Sequence, residues 1–430
     1  MTTKIFSKSY QDAFKVNKQD FTRQRKLTFP CTIIFMLNLI KKSLSIEIDG
    51  FVNHLKSHRE QSFSLKPFSS SAYVQSRKKI KAEVFISLSS VLVDEFYSDN
   101  DLVVKLWNGF RLLAVDGSTM NLPSTRETHR IYGKAKNQTG DTAVQGRVSV
   151  LYDVLNQLAL DADLAPRSSS ERELALKHLG KIGSSDLIIY DRGYYSYEFI
   201  KEHVNAGIDF IIRAKADLNI VKSFIASNKN TQTVEITLGR PLYKRERGIV
   251  DISPIKIRLV RVELPKGEIE VIATSLLDVK KYPSKQFKAL YFKRWKVETY
   301  YDELKNKLKA EHFTGYSNRA IQQDFHTAIL VSNIQSLIVN DLKEEINIEA
   351  KARKWEYKVN TNLSYGFLKN RILNLFLSNH TTDLEVAFNE IKELFKKHLV
   401  PIKPNRSNHR NKTKRITKKH KVTKNQRDAI

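Results

Sequence analysis

The amino-acid sequence predicts an α/β fold. Between residues 107 and 215, apolar runs typical of buried strands alternate with helical segments, and two of these runs end in turns at Asp116 and Asp191. Helical patterns precede this region, and long helices follow it. The chain has 430 residues, of which 41% are hydrophobic and 28% charged. It is therefore long enough for roughly two to four domains with a sizeable core.

Charge and cysteine content narrow the functional class. The chain has 73 Lys and Arg residues against 46 Asp and Glu residues, a net charge of +27. Such a positive field attracts polyanions, so nucleic acid or an anionic membrane surface is the expected partner. The single cysteine, Cys31, excludes an intrachain disulfide framework and a multi-cysteine zinc site.

Nothing in the sequence predicts membrane insertion or export. The longest apolar run, residues 31–40, contains Thr32 and Asn38 and is well short of the ~20 residues that a spanning helix needs. We expect it to form a buried helix. The amino terminus lacks an apolar signal region with a cleavage site, so we expect a cytoplasmic protein.

Residues 1–95 form a predicted N-terminal helical domain. Apolar residues recur at helical spacing, and the basic stretch FTRQRKLTF precedes the most apolar helix. Its charges, Arg23, Arg25 and Lys26, have two interpretations. They form either a phosphate-contacting edge of a DNA-binding domain or the solvated approach to that helix.

Residues 96–215 form the first part of the predicted α/β core. The strand FRLLAV ends at Asp116, and the strand LIIY ends at Asp191. Between them the pattern predicts a hairpin around Asn156 and a helix with acidic residues in its first turn. The hairpin strands, this helix, a second helix and a last strand are predicted at residues 146–152, 158–164, 170–179, 196–205 and 210–213.

The pattern becomes β-rich over residues 216–285, which we predict to be an insertion domain. Apolar residues alternate with polar ones from Ile255, and their phase slips by one at Val260, which is typical of a β-bulge. Long helices are predicted over 284–308 and 320–342.

The chain ends in two further predicted parts. Residues 286–400 form the C-terminal helical part of the core. Residues 401–430 contain eleven Lys and Arg residues, one acid and few large apolar residues. Such a composition cannot bury enough surface to offset its ordering entropy, so it predicts a disordered basic tail.

Two aspartates stand at the carboxyl ends of predicted strands, where open α/β sheets place their ligand crevices. One isolated Asp-Gly is usually a turn cap. Asp116 and Asp191 occupy equivalent strand ends, which favours a shared site.

A third group of candidates lies on the predicted helix 284–308. At about 100° per residue, Tyr291, Arg294, Glu298 and Lys305 fall on one face. Taken alone, this face could equally be a surface salt-bridge face, with Arg294 and Glu298 as an i, i+4 pair.

These residues fit the Y-x2-R-x3-E-x6-K signature of the IS-four family of bacterial insertion-sequence transposases, which this chain resembles. The segments LLAVDGSTMNLP around Asp116 and DLIIYDRGYY around Asp191 resemble the same family in order and spacing. The resemblance implies a ribonuclease H-like catalytic core with a β-strand insertion before the glutamate helix.

The resemblance also implies site residues and a cofactor. Asp116, Asp191 and Glu298 would be catalytic metal ligands for two Mg²⁺ or Mn²⁺ ions, which suit hard carboxylate oxygens. Tyr291, Arg294 and Lys305 would bind phosphates at the transposon end. Weaker DNA-binding candidates beside the strand ends, which could equally be general charge contributors, are Arg192, Arg213 and Lys215.

The implied function is cut-and-paste DNA transposition by two-metal phosphodiester chemistry. A homodimer would bind the terminal inverted repeats of an insertion element, cleave at the ends and join the 3′-hydroxyls to target DNA, with double-stranded DNA as its partner and no membrane. Two alternatives remain open. One is a ribonuclease H-like nuclease without strand transfer, and the other is a non-catalytic DNA-binding regulator derived from a transposase.

Overall fold

The computed structural model describes residues 1–23, 25–57, 67–99, 103–136, 142–238, 253–264, 267–351, 353–377 and 381–403. Most of the predicted basic tail, residues 404–430, therefore lies outside the described residues. The N-terminal region is helical, as its apolar spacing predicts. Its helices are α1 (Thr2–Phe6), α2 (Lys8–Phe14), α3 (Phe29–Leu37), α4 (Leu44–Ser57), α5 (Ser70–Arg77) and α6 (Glu83–Asp99).

Helix α3 corresponds to the apolar run that the sequence predicts to be buried. The Thr28 side chain caps it by accepting a hydrogen bond from the Cys31 N–H, and Pro30 occupies its first turn. Every residue of α3 is buried. In the described part of the chain, no helix is both long enough and apolar enough to span a membrane.

A large mixed sheet forms the centre of the molecule. Nine strands of the described chain belong to it, in the order β2-β3-β1-β5-β6-β9-β8-β7, with β4 also paired to β3. They are β1 (Arg111–Leu122), β2 (Ala135–Lys136), β3 (Thr142–Asp153), β4 (Leu158–Pro166), β5 (Asp186–Tyr190), β6 (Asp209–Arg213), β7 (Thr231–Ile236), β8 (Ile255–Glu263) and β9 (Ile269–Thr274).

Strand direction within the sheet follows from the pairings. Strands β1, β5 and β6 are parallel, whereas β3 is antiparallel to both β1 and β4. The predicted hairpin around Asn156 is therefore formed by β3 and β4. The connecting helices are α7 (Arg126–Tyr132), α8 (Glu171–Lys177), α9 (Tyr197–Asn205) and α10 (Asn219–Ala226).

The β-rich segment joins the central sheet. Strand β9 pairs antiparallel with β6, and β8 and β7 extend the sheet beyond it. The predicted bulge at Val260 is wrong, because β8 keeps one register with both neighbours. Its apolar phase changes because both faces of the strand are buried, and Arg258, with 0% exposure, occupies one face among apolar residues.

The C-terminal region contains helices and a small second sheet. The predicted helix 284–308 is divided into α11 (Gln286–Phe292), α12 (Trp295–Asp302) and a π-helical turn at Glu303–Lys307. Between α11 and α12 the backbone tightens, since the Arg294 N–H bonds the carbonyl of Tyr291. The remaining elements are α13 (Asn318–Ala350), β10 (Glu356–Val359), α14 (Thr361–Leu377), α15 (Thr381–Lys397) and β11 (Leu399–Ile402).

Apolar side chains cover both faces of the central sheet. On one face, Leu112 and Ala114 of β1 contact a core shared with the N-terminal helices and α13. On the other, Leu113 and Val115 contact a core with α9 and α10. This double burial explains why the β1 and β5 segments are continuous apolar runs in the sequence.

Candidate active site

Asp116 lies within β1, so the predicted strand end at this residue is wrong: β1 continues beyond it to Leu122, held by its antiparallel pairing with β3. The four residues before it are fully buried. Its Oδ1 accepts the Gly117 N–H at 2.8 Å. Its backbone carbonyl accepts the Tyr301 hydroxyl of α12 at 2.7 Å, so the helix that carries Glu298 also fixes the strand that carries Asp116.

Asp191 follows β5 directly, on the strand next to β1. Because Ala114 and Ile189 are register partners in the parallel pair, Asp116 and Asp191 lie level at the carboxyl edge. The Tyr291 hydroxyl donates to Asp191 Oδ1 at 3.1 Å. An Arg213 nitrogen, at the end of β6, lies 3.1 Å from the same oxygen.

Arg294 joins the glutamate helix to the first aspartate. One of its terminal nitrogens lies 2.8 Å from Glu298 Oε1, and the other lies 3.5 Å from Asp116 Oδ2. The Arg294 side chain is 5% exposed and also lies over the rings of Tyr291 and Trp295. The i, i+4 pair with Glu298 thus belongs to a half-buried site that includes Asp116, because the Arg294 side chain is buried while that of Glu298 is 38% exposed.

Lys305 contacts β1 at a residue beyond Asp116. Its Nζ lies 2.6 Å from Ser118 Oγ, two residues after Asp116. Burial lowers the pKa of Lys305, and the nearby carboxylate of Glu311 opposes that shift. The π-helical turn at Glu303–Lys307 places Lys305, so it does not simply continue the face that begins at Tyr291.

The pKa values of the two aspartates are shifted in opposite directions. Burial raises the pKa of Asp116 to about 6, despite the Gly117 N–H and Arg294, and the charges of Glu298 and Asp191 add to the rise. Burial also acts to raise the pKa of Asp191, but the Arg192 N–H, Arg213, Arg294 and Tyr291 outweigh it, so that pKa is lowered. Adjacent carboxyls with opposite shifts are typical of functional sites.

The carboxylates do not form a closed metal cage. Within the described ranges, no three His, Cys, Asp or Glu side chains converge closely enough to hold a metal ion as a group. Arg294 lies between Asp116 and Glu298. The donor set nevertheless fits Mg²⁺ or Mn²⁺, because Mg²⁺ at phosphoryl-transfer sites is usually held by one or two carboxylates together with substrate phosphates.

Three buried donors at this site lack a hydrogen-bond partner among the described residues. They are Tyr194 Oη, Arg213 Nε and Arg294 Nε. The charges of both Asp116 and Asp191 act on Tyr194, so its hydroxyl lies near the acids. Unpaired buried donors are costly unless a ligand or water satisfies them, and all three suit an anionic ligand.

The other predicted residues lie at separate places. Arg192 is exposed beside Asp191, whereas Lys215 lines another cavity with Glu198 and Glu235. The basic residues before α3 line a cavity in the N-terminal region together with Lys79, and all three are exposed. These three are Arg23, Arg25 and Lys26.

The sequence did not predict three contributors to the site. Ser118 follows Asp116 by two residues, so strand alternation places both on one face. Tyr301 follows Glu298 by three residues on the same helix. Both positions could have been found from these spacings, but Tyr194 could not, because its approach depends on the 3₁₀ turn at Arg192–Tyr194.

The chain matches the family described as the transposase DDE domain over residues 107–334, more than half of its length. It belongs to this family. All three acids and Tyr291, Arg294 and Lys305 lie in the matched range. The predicted resemblance to DDE transposases is thereby confirmed.

Two similar proteins come from Escherichia coli strain K12. The chain is 23% identical over 278 residues to transposase InsG for insertion sequence element IS4, a match that covers 63% of this chain and 61% of that protein. It is 28% identical over 96 residues to the putative transposase InsZ, covering 22% of this chain and 32% of that one. The match therefore spans about three-fifths of the length of InsG.

One solved structure is similar, with low sequence identity and a TM-score below 0.5. The piggyBac transposase synaptic complex with hairpin DNA aligns with a TM-score of 0.42 and 10% identity. The alignment covers 95% of this chain and 86% of the piggyBac chain.

Proposed function

We propose that this DDE-family chain is an insertion-sequence transposase. It binds the terminal inverted repeats of its element, cleaves the DNA at the ends and joins the 3′-hydroxyls to target DNA. The observation that supports this most is that side chains of one helical segment link Asp116, Asp191 and Glu298, which are carried by two adjacent strands and a helix. Arg294 and Tyr291 contact these acids directly.

The strand arrangement supports a ribonuclease H-like catalytic core. Strands β4, β3 and β1 are consecutive antiparallel neighbours, and β5 and β6 continue the sheet parallel to β1. In this proposal, residues 96–215 and 286–400 form the core, with 1–95 as the DNA-binding domain, 216–285 as the insertion and 401–430 as a basic tail.

The proposed chemistry divides between the acids and the basic residues. Asp116, Asp191 and Glu298 would hold two Mg²⁺ or Mn²⁺ ions, which would activate the attacking oxygen and stabilise the leaving oxygen of a phosphodiester. Arg294, with a buried Nε still free to donate, is placed to bind a phosphate oxygen beside the acids. Tyr291 orients the Asp191 carboxylate through its hydroxyl.

Substitution of each acid tests the assignment. We expect Asp116→Ala, Asp191→Ala and Glu298→Ala to reduce metal-dependent end cleavage by at least about a thousandfold, because several kcal/mol of transition-state stabilisation is lost. End binding should persist. Asp302→Asn removes an exposed charge from the same helix and is the matched control. Full cleavage by any of the three acid variants would contradict the proposal.

A joining assay separates transposition from simple cleavage. Pre-cut ends with free 3′-hydroxyls should be joined to target DNA by the unmodified chain with Mg²⁺. Cleavage without joining would instead indicate a ribonuclease H-like nuclease. The proposed homodimer predicts that two end duplexes are held in one complex, measurable by light scattering of the DNA-bound protein.

A further inference from the structure

The π-helical turn at Glu303–Lys307 is not required by the local sequence. Residues 296–314 contain no Gly or Pro, and the turn itself is rich in Glu, Leu and Lys, which favour a regular α-helix. The turn is nevertheless present, since the Leu308 N–H donates to the Glu303 carbonyl, five residues earlier, at 2.9 Å. Contacts from elsewhere in the fold must therefore select it.

The side chain of Glu303, the first residue of this turn, is held by a distant helix. Its Oε1 accepts a hydrogen bond from the hydroxyl of Tyr365, on α14, at 2.5 Å. Burial raises the pKa of Glu303, and the hydrogen bond from Tyr365 is the largest influence that opposes the rise. Tyr365 is 3% exposed, so loss of its hydroxyl would leave the carboxylate beside an apolar ring.

The position of Tyr365 is fixed from both sides along α14. The hydroxyl of the preceding Ser364 accepts the side-chain amide of Gln335, on α13, at 2.9 Å. Five residues after Tyr365, the Asn370 N–H donates to Asn38 Oδ1 at 2.7 Å, and the Asn38 amide donates to Asn370 Oδ1 at 3.0 Å. Asn38 is the C-terminal cap of α3. Helix α14 therefore holds the Tyr365 hydroxyl at a defined place beside the turn.

The turn also decides where Lys305 lies. The bond from Leu308 to Glu303 closes a ring that contains Lys305, whose Nζ lies 2.6 Å from Ser118 Oγ. In a regular α-helix the N–H would bond the carbonyl four residues earlier. Relaxing the turn by one residue would rotate side chains within and after it by up to about 100°. A rotation of this size would carry the Lys305 ammonium away from Ser118.

We propose that Tyr365 is a positioning residue for the proposed transposition reaction. Its hydrogen bond to Glu303 maintains the π-helical turn and so keeps Lys305 against Ser118. The inference rests on the proposed function in taking Lys305 as a phosphate-binding residue beside the acids. Tyr365 and Glu303 are 62 positions apart in the chain, so no spacing in the sequence points to this pair.

Hydrogen exchange tests whether Tyr365 maintains the turn. Amide exchange over residues 303–310 is followed by mass spectrometry in EDTA without DNA, so no transposase activity is required. We expect Tyr365→Phe to accelerate exchange in this segment by about tenfold, the size expected when a carboxylate loses one hydrogen-bond donor. Exchange in the central sheet should stay unchanged, which separates this effect from general destabilisation. Glu303→Gln retains an oxygen that can accept the Tyr365 hydroxyl and should accelerate exchange less.

Tyr97→Phe is the matched control. The Tyr97 hydroxyl also donates to a carboxylate, that of Asp153 at the end of β3, at 2.6 Å. Its loss should leave exchange over residues 303–310 near that of the unmodified chain. Equal exchange of this segment in Tyr365→Phe and Tyr97→Phe would overturn the proposal, because the hydrogen bond to Glu303 would then not maintain the turn.

Double variants test whether the turn acts through Lys305. With Mg²⁺ and saturating end DNA, Tyr365→Phe should reduce end cleavage several-fold. The double variant Tyr365→Phe/Lys305→Gln should cleave no more slowly than Lys305→Gln alone. A purely structural role would add its own loss to that of Lys305→Gln, and such additivity would overturn the proposal.

Urea unfolding separates this inference from the proposed function. The effect of Lys305→Gln on the unfolding equilibrium constant should shrink by about threefold in a Tyr365→Phe background and stay the same in a Tyr97→Phe background. Equal effects of Lys305→Gln in both backgrounds would overturn the inference. Absence of end cleavage by the unmodified chain would instead count against the proposed function, since neither exchange nor unfolding depends on it.

Discussion

At the scale of single residues, the two aspartates contribute to stability with opposite signs. The folded-state pKa of Asp116, about 6, exceeds its unfolded value of 3.8. The contribution of Asp116 to the free energy of unfolding is therefore most favourable below about pH 4 and is lost as the pH rises through about 6. The pKa of Asp191 is lowered, so its contribution is present at neutral pH and is lost as the pH falls.

These signs predict opposite effects of two similar substitutions. At pH 7.5 in a chelating buffer, Asp116→Asn should stabilise the fold by up to about 3 kcal/mol, at about 1.4 kcal/mol per pKa unit. Asp191→Asn should destabilise it, because Arg213 and Tyr291 lose their anionic partner. Urea unfolding measures both changes. A destabilised Asp116→Asn variant would contradict the predicted cost of the buried charge.

Ser118 accepts a hydrogen bond from Lys305, so we expect its effect on the proposed reaction to act through that lysine. If Ser118 holds the ammonium in place, Ser118→Ala should reduce end cleavage several-fold, by the ~1 kcal/mol of one hydrogen bond. Lys305→Gln should reduce it more, and the double variant should match Lys305→Gln alone. Thr119→Ala, at an exposed neighbour, is the control. Additive losses in the double variant would show that the two residues act independently.

Residue spacing predicted part of this site because its contacts are local. Arg294 and Glu298 are four apart on a helix, and their ion pair is present. The contacts of Tyr291 with Asp191 and of Lys305 with Ser118 join distant segments. They depend on a tightened turn and a π-helical turn, which a fixed 100° step cannot represent.

At the scale of elements, a close approach between α8 and β1 lies beside the first aspartate. A methyl group at Gly117 would lie 2.9 Å from side-chain carbons of Glu171, which is paired with Arg147. Gly117→Ala should therefore displace Glu171 and cost about 1 kcal/mol. In a Glu171→Ala background, Gly117→Ala should leave the stability of the fold unchanged or increase it. Thermal unfolding of the three variants tests this coupling, and an equal cost in both backgrounds would exclude it.

Element boundaries were predictable where local sequence decides them. The hairpin and the strand that leads to Asp191 lie where apolar runs and turn residues predict them, whereas β1 continues past Asp116 to Leu122 because β3 pairs with it there. The predicted bulge in β8 was wrong because Arg258 occupies a core position. Its guanidinium donates a hydrogen bond to the carbonyl of Tyr282 at 2.7 Å. Sequence alternation cannot reveal that a charged residue is buried.

At the scale of the whole molecule, the net charge of +27 is distributed unevenly along the chain. Residues 404–430 contain ten Lys and Arg residues and one acid. Truncation after Lys403 should weaken binding to random-sequence DNA and reduce its salt dependence, because fewer counterions are released. Metal-dependent cleavage at saturating protein should persist. Loss of cleavage under those conditions would assign the tail a role beyond non-specific affinity.

The continuity of the sheet has a mechanical consequence. Arg213, which contacts Asp191, is the register partner of Ile272 in β9, and its guanidinium also pairs with Glu270 of that strand. Strands β7 to β9 are thus coupled rigidly to the second aspartate. They cannot move as an independent lid while this register holds, so any DNA bound against them would move together with the edge that carries Asp116 and Asp191.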